Sequence, residues 1–510
     1  MNKNFYFIFY SSISALLFTI SYAGYGFSFF IWFALVPFFM ALSASETKRF
    51  KKGTAFGTVL YTASLIWLAQ TISSYGGLPY LSSVAAITLL GLYLGIYTGI
   101  FALIFPDTEK KPIVSLFLIP AVWTGLDFSV SFLFSGFPWV FAGYTQYKNL
   151  NLIQLGSVTG VYGITYFIVL INTALFVLIN SFLKSKKFFT KDNMYIVISV
   201  LTVSGLVFTY GSFSLKNTQN LMKIAQQTKI LIIQPNILPE SKNSGSIKNT
   251  LKEHTSLAEQ FSGKYDFAVW PETSLPYPVF SDKKLLNKIK SHAHTNGNQI
   301  IGLLSVKKDY KNNYILKNRS VLFTKDGEFN HYYDKIHLVP FGEYIPLKEY
   351  FPFFEKFIVP SGEFNPGKEN NFIKHENLKA GIKICFEIIF PDLVRKQVKK
   401  GSNIIINMTN DAWFGNSPGP YQHLAISVMR AAENKRSIAR AANTGISAHI
   451  LPTGEIKERT DIFEKKSILN TLPLLEEKTF YTKYGDFFAY ICFAVLLLQG
   501  FFYYRKLKKQ

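Results

Sequence analysis

The chain has 510 residues, with 54 Lys and Arg against 32 Asp and Glu for a formal net charge of +22, and its mean hydropathy is nevertheless positive, at +0.17. Basic excess combined with that much apolar character excludes a soluble polycation or a disordered chain and points to a membrane protein. Two cysteines exclude a disulfide framework, and eight histidines with no HExxH or CxxC spacing leave no metal motif. Phosphate-binding Gly-rich loops are missing too, so no cofactor is expected.

Runs of apolar residues fill the first two-fifths of the chain and return near its end. Read as spanning helices, they fall near 5–22, 27–43, 54–73, 82–105, 113–133, 162–183, 194–212 and 485–503. Lys3 before an apolar core, with Ser21 and Ala23 after it, also fits a signal peptide, although apolar character resumes at once. Eight spans put both termini on one side. Lys3, the group Lys48 to Lys52, Lys110 and Lys111, the group Lys184 to Lys191 and the tail Arg505 to Lys509 share that face, whereas the short connections opposite offer only Lys148. The positive-inside rule makes the cation-rich face cytoplasmic. Those segments hold 15 Lys or Arg against four acids, and so account for half of the net charge. The rest would favour anionic headgroups; a nucleic-acid partner has no support.

The expected architecture is a seven-span α-helical bundle over 1–213, an α/β domain over 214–484 outside the cytoplasm, and a last span with a basic tail over 485–510. Gly91, Gly95 and Gly99, four residues apart, would let two helices approach closely. Asp127 lies deep in the fifth predicted span, where a carboxyl has either a structural partner or a task. The segment from Gly136 to Gln146 contains Trp139 and reads either as an interfacial aromatic belt or as part of a lipid-facing mouth.

In the α/β part, short apolar runs at 229–236, 266–270, 299–305, 380–386 and 403–407 predict strands, and 282–293 and 422–441 predict helices. The Lys, Asn and Ser cluster at 241–249 reads as an exposed loop. Alternation of strand and helix predicts a layered domain. Three reactive side chains follow apolar runs: Glu272 in Trp270-Pro271-Glu272, Lys335 in Asp334-Lys335-Ile336, and Cys385 in Ile384-Cys385-Phe386. Cys385 has no disulfide partner, because Cys492 falls inside the last span; it is either a small buried hydrophobe or a nucleophile. A thiol needs a base or a cation to attack, and Glu272 and Lys335 supply one of each. Tyr344 to Phe364, with Tyr350, Phe351, Phe353, Phe354, Phe357 and Ile358, reads as an interfacial apolar arm or a core helix. Trp413 and Phe414 are open between core and lipid contact, and His423 reads as structural.

At Glu272, Lys335 and Cys385 the chain resembles the nitrilase superfamily, whose members carry Glu, Lys and Cys in this order on an αββα sandwich. Together with eight spans, Gly136-Phe137-Pro138-Trp139, Pro340-Phe341-Gly342-Glu343-Tyr344 and Asn410-Asp411-Ala412-Trp413-Phe414-Gly415, it resembles the bacterial apolipoprotein N-acyltransferase family. The resemblance implies an inner-membrane enzyme with a periplasmic catalytic domain, in which Cys385 takes an acyl chain from a phospholipid, phosphatidylethanolamine for instance, and passes it to the α-amino group of a diacylglyceryl-cysteine on an apolipoprotein. It implies Glu272 as base and Lys335 as oxyanion support, with Glu343 and Glu387 as acids that position or polarise them. Tyr344, Phe351, Phe354, Trp139, Trp413 and Phe414 become lipid-contact candidates. Phe386 stands where family members often carry Tyr, and Asp127 and Val130 where many carry Glu and Arg. A membrane-tethered amidase with the same triad is the rival enzyme reading, and a transport or scaffold protein the non-enzymatic one.

Overall fold

A computed structural model describes residues 3–508, apart from 46, 188–189, 239–246, 309–311, 330 and 347–362. It divides into two compact units, one of Met1–Gln70, Pro79–Leu215 and Tyr484–Gln510, the other of Thr71–Leu78 and Lys216–Lys483.

The first unit is helical, and fewer of its helices meet the requirements for a span than the sequence suggests. Among the described residues five are long and apolar enough to cross a membrane: Tyr80–Leu103, Pro112–Val130, Val161–Ser185, Lys191–Ile224 and Phe487–Leu507. Eight spans are therefore not confirmed. Predicted span 54–73 is a pair, Arg49–Leu65 and Trp67–Gly76, bent by 61° and countable as a sixth. Predicted span 5–22 is the short helix Lys3–Ile20. Predicted span 27–43 is a 3-10 turn, Ser28–Trp32, followed by Val36–Ser43. Pro37 sits in the first turn of that second piece, where its missing N–H is tolerated but continuity with the turn before it is lost. Helix Lys191–Ile224 overshoots in the other direction, running through residue 213 for 34 residues.

A break in an apolar bundle leaves backbone groups that lipid cannot satisfy. Asn172, fully buried on helix Val161–Ser185, supplies the partners: its Oδ1 accepts from Leu35 N–H at 2.8 Å, and its Nδ2 donates to the Ile31 carbonyl at 2.9 Å. The predicted close approach of two helices is also present. A Cβ on Gly95 would lie 2.7 Å from the Thr54 carbonyl oxygen, so Tyr80–Leu103 packs backbone to backbone against Arg49–Leu65.

In the second unit the strands are β1 (Gln226–Gln234), β2 (Phe267–Val269), β3 (Leu275–Pro278), β4 (Asn298–Lys308), β5 (Tyr314–Phe323), β6 (His331–Asp334), β7 (Ile373–His375), β8 (Leu378–Ile384), β9 (Ile404–Thr409), β10 (Ser437–Ala442), β11 (Ala448–Ile450), β12 (Ile456–Arg459) and β13 (Lys466–Leu474). One sheet runs β13-β1-β2-β4-β5-β6 with β3 also on β4; the other runs β12-β11-β10-β9-β8-β7. Their central strands are parallel and their edges antiparallel.

The apolar runs are continuous because both faces of each sheet are covered. Ile230 and Ile232 of β1 meet Ile382, Ile384 and Ile406 of the second sheet, while Leu231 and Ile233 face helices Ile247–Glu259 and Lys283–Asn296. Helices Pro391–Lys400 and Gly419–Asn434 pack on β8 and β10. The result is the expected αββα sandwich. The predicted helix 422–441 needs correction: it stops at Lys435, whose φ of +48° is left-handed, and 437–442 is strand β10. Of the predicted 241–249 loop, 241–246 lie outside the described residues and the remainder opens helix Ile247–Glu259.

Asn172→Leu removes both side-chain partners of the broken segment. Its thermal midpoint in detergent, followed by helical circular dichroism, is expected to fall by several degrees, corresponding to about 1–3 kcal/mol for each stranded backbone group.

Candidate active site

Glu272 lies just beyond β2, in a turn that begins at Trp270 and Pro271. Trp270 is fully buried, stacks on His254, donates from its indole N–H to Gln299 at 2.9 Å and continues the pairing with β4 through its backbone. The turn crosses β4 directly over Gly302, where a Cβ would sit 2.3 Å from the Pro271 carbonyl oxygen and 2.9 Å from Glu272 Cα. Only glycine leaves the turn its room.

Lys335 follows β6 and is held by its N–H to the Asn318 carbonyl at 2.9 Å. Its ammonium group, 1% exposed, lies 3.2 Å from Glu272 Oε1 and 2.8 Å from Glu343 Oε1. Burial alone would lower its pKa, but Glu272 and Glu343 outweigh burial and hold it above the usual lysine value. Asn318 Nδ2 bridges the two acids, at 2.7 Å to Glu272 and 3.4 Å to Glu343. Glu272 Oε2 accepts the Asn410 N–H at 3.0 Å. Of a carboxylate's four or so acceptor positions, three are thus taken among the described residues, and one on Oε2 is left to receive a proton. Glu343 is fixed through its Oε2, which accepts the Val339 N–H at 2.9 Å.

Cys385 ends β8 and is half-buried. Its φ is +49°, left-handed for a residue that carries a Cβ, and the chain turns there into the 3-10 segment Cys385–Ile389. Strain of this kind persists only where the surroundings over-determine it. The turn ends strand parity, so Glu387 does not share a strand face with Cys385. Instead Glu387 is fully buried behind the turn: Oε1 accepts from Ile336 N–H at 2.7 Å, His337 N–H at 3.2 Å and Tyr333 Oη at 2.9 Å, and Oε2 from Ile384 N–H at 2.8 Å. One carboxylate therefore ties the Lys335 segment to the cysteine turn. Burial first, then the charge of Glu272, push the Cys385 thiol well above its ordinary pKa, with Lys335 acting against them. The resting group is a thiol.

Glu272, Lys335 and Glu343 thus touch, Cys385 lies within their electrostatic reach, and Glu387 acts through backbone. The lipid-contact candidates scatter. Trp139 belongs to the helical unit, 4% exposed against Trp67 and Phe137. Tyr344 is half-buried on the Glu343 loop, bridged to Pro340. Trp413 and Phe414 are half-buried, and Trp413 packs edge-on to Tyr75 at 4.7 Å. Phe351 and Phe354, with the arm around them, lie outside the described residues. Sequence reasoning missed Asn318 and Tyr333, which sit in β5 and β6 without any motif to mark them.

A buried Glu–Lys pair beside a cysteine in a left-handed turn, on an αββα sandwich, defines a thiol enzyme of the nitrilase type. Residues 229–476 match the carbon-nitrogen hydrolase family model, and residues 14–174 match that of the apolipoprotein N-acyltransferase N-terminal domain. The chain is 34% identical to an apolipoprotein N-acyltransferase of Geobacter metallireducens, covering 94% of this chain and 92% of that one. It is 30% identical to the enzyme of Pasteurella multocida, covering 91% and 89%, and 29% identical to apolipoprotein N-acyltransferase 1 of Treponema denticola, covering 95% and 94%. The chain belongs to the apolipoprotein N-acyltransferase family.

Gly302→Ala is expected to displace the Glu272 turn and slow acylation of Cys385 by about 10-fold or more, since small misplacements of a reacting group cost rate steeply. The check is a rate measurement on protein whose thermal midpoint has been recorded alongside. Three imidazoles give a pH prediction. Burial lowers His292, His337 and His449 to about 4 in the folded state, with Lys335 adding to the effect at His337. Their folded values lie below the unfolded value of about 6.5, so the unfolded chain takes up protons first, and stability present above that pH is lost as pH falls toward 4. Thermal midpoints recorded between pH 7 and 4.5 should decline through that window.

Proposed function

We propose that this chain transfers an acyl group from a phospholipid to the α-amino group of the diacylglyceryl-cysteine that begins an apolipoprotein. The observation that carries the reading is the Glu272–Lys335–Glu343 cluster next to Cys385, in a membrane-embedded chain of this family. The donor is phosphatidylethanolamine. The protein sits in the bacterial inner membrane, with its cation-rich segments and both termini cytoplasmic and residues 214–484 on the periplasmic side.

In the first half, Cys385 Sγ attacks the ester carbonyl carbon of the lipid while its proton passes to the open position on Glu272 Oε2. The tetrahedral oxyanion is met by the Lys335 ammonium and by the N–H of Phe386, next along from the nucleophile. The carbon–oxygen bond then breaks, Glu272 returns the proton to the departing lysophospholipid oxygen, and the acyl group remains as a thioester. In the second half, the α-amine attacks the thioester carbonyl, Glu272 accepts a proton from the nitrogen, the carbon–sulfur bond breaks and the thiol is re-formed. Glu343 shares the Lys335 charge, and Glu387 keeps the Lys335 segment in register with the cysteine turn. The aromatic candidates Trp139, Tyr344, Phe351, Phe354, Trp413 and Phe414 contact acyl chains in this reading.

Incubating the purified protein with phosphatidylethanolamine should add one acyl group to Cys385, seen by intact mass and removed by hydroxylamine. Adding a diacylated lipopeptide should clear the adduct and yield a triacylated peptide. Cys385→Ala should take no acyl group, and Glu272→Gln should acylate about 10²–10⁴-fold more slowly, the usual contribution of a positioned base. A wild-type protein that stays unacylated would sink the mechanism; clearance by water as fast as by lipopeptide would favour an amidase.

A further inference from the structure

Behind the cysteine turn lies a second polar cluster to which the reaction above gives no task. Asp411, His423 and Arg440 are each 1% exposed or less. Arg440 Nη2 donates to Asp411 Oδ2 at 2.6 Å, and the Thr409 hydroxyl donates to Asp411 Oδ1 at 2.7 Å. Arg440 also reaches Asn407, Ser427 and the Ile446 carbonyl. The guanidinium is therefore fixed on several sides at once, and it in turn fixes the imidazole.

His423 Nδ1 lies 3.0 Å from Arg440 Nη2 and 3.1 Å from Asp411 Oδ1, and its Nε2 lies 3.3 Å from the carbonyl oxygen of Cys385. Arginine is only a donor and a carbonyl only an acceptor. With its proton on Nε2 the neutral ring donates to the Cys385 carbonyl and accepts from Arg440 at Nδ1, while Asp411 Oδ1 keeps the Thr409 hydroxyl as its donor; the other neutral tautomer would donate to Asp411 and leave the carbonyl unmet. Burial and then Arg440 keep the ring below its ordinary pKa, against the pull of Asp411. His423 thus donates to the carbonyl of the residue that carries the strained φ.

A trans peptide is planar, with its N–H directed opposite to its C=O. Holding the Cys385 carbonyl toward His423 therefore holds the Phe386 N–H toward the other side of the turn. We propose that His423, oriented by Asp411 and Arg440, is a positioning residue that locks the Cys385–Phe386 peptide plane so that the Phe386 N–H meets the oxyanion formed during acyl transfer. This rests on the acyl-transfer reading and extends it to residues that touch neither substrate.

The experiment compares two reactions of Cys385 in the full-length protein in detergent. Acylation by phosphatidylethanolamine passes through an oxyanion, whereas alkylation by iodoacetamide displaces iodide and forms none. His423→Phe keeps a ring but cannot donate; His423→Gln keeps an N–H near the Nε2 position. The Phe variant should acylate about 10–100-fold more slowly, below the full effect of deleting an oxyanion donor, while its alkylation rate stays within about twofold of wild type, and the Gln variant should recover most of the acylation rate. Acylation of the Phe variant at the wild-type rate overturns the proposal. So does a parallel loss of both reactions in both variants, or a Gln variant as slow as Phe, since each makes His423 scaffolding only. Failure of the wild-type protein to acylate is a different result, and overturns the acyl-transfer reading instead.

Discussion

The site depends on one buried cation. Lys335 is 1% exposed, with Glu272 at 3.2 Å and Glu343 at 2.8 Å, and it is the cation that lets the two acids share one pocket. Two carboxylates alone in one dry pocket would repel each other, and an isolated ammonium there would bear the whole cost of its desolvation. Glu272 and Glu343 together hold the Lys335 ammonium charged against burial, as the proposed oxyanion role requires. Asn318 is part of the same balance, because it donates to both acids without adding charge. Removing Lys335 would leave two buried carboxylates without a counter-charge, at a cost of about 3–5 kcal/mol, so the stability of this pocket hangs on the cation.

The second constraint is geometric. Cys385 sits at φ +49°, and the strain is held from two directions by groups that never reach the reacting atoms. Glu387 accepts N–H groups from Ile384 before the turn and from Ile336 and His337 beside Lys335, while His423 meets the Cys385 carbonyl from behind. A positive-φ nucleophile exposes its side chain at a sharp turn. Two buried anchors hold that turn, while the Lys335 ammonium is held separately by the Glu272 and Glu343 carboxylates.

How far these features can be read from the sequence differs by kind. The strands carrying Glu272 and Cys385 announce themselves as apolar runs ended by Pro or by polar residues, since both faces of the sheets are covered. Strand β10 does not, because its residues, Ser-Ile-Ala-Arg-Ala-Ala, favour helix by local propensity; tertiary packing wins, with Ala439 and Ala441 small enough to lie between the sheets and Arg440 drawn to Asp411. Span counting fails for a related reason. A window of apolar residues registers Ser28–Ser43 as continuous, yet the break there is satisfied by Asn172, more than a hundred residues away. In the site, Glu272, Lys335 and Cys385 carry recognisable neighbours, whereas Asn318 and His423 acquire meaning only from partners distant in sequence.

The buried charges also bear on why such a domain would transfer an acyl group and not hydrolyse it. A thioester stores the acyl group at a carbon that water can attack, and the same open position on Glu272 Oε2 would activate water as readily as an amine. Lys335 and the proposed Phe386 N–H stabilise either oxyanion equally, because the tetrahedral carbon is the same. Nothing in the polar cluster therefore distinguishes the two nucleophiles. Selectivity has to come from apolar groups that exclude water while the thioester waits, and from binding energy supplied by the lipid chains of the incoming substrate, far from the reacting nitrogen. A soluble amidase needs neither. For an enzyme with lipid substrates, that binding energy has to come from their acyl chains, which favour an apolar phase over water.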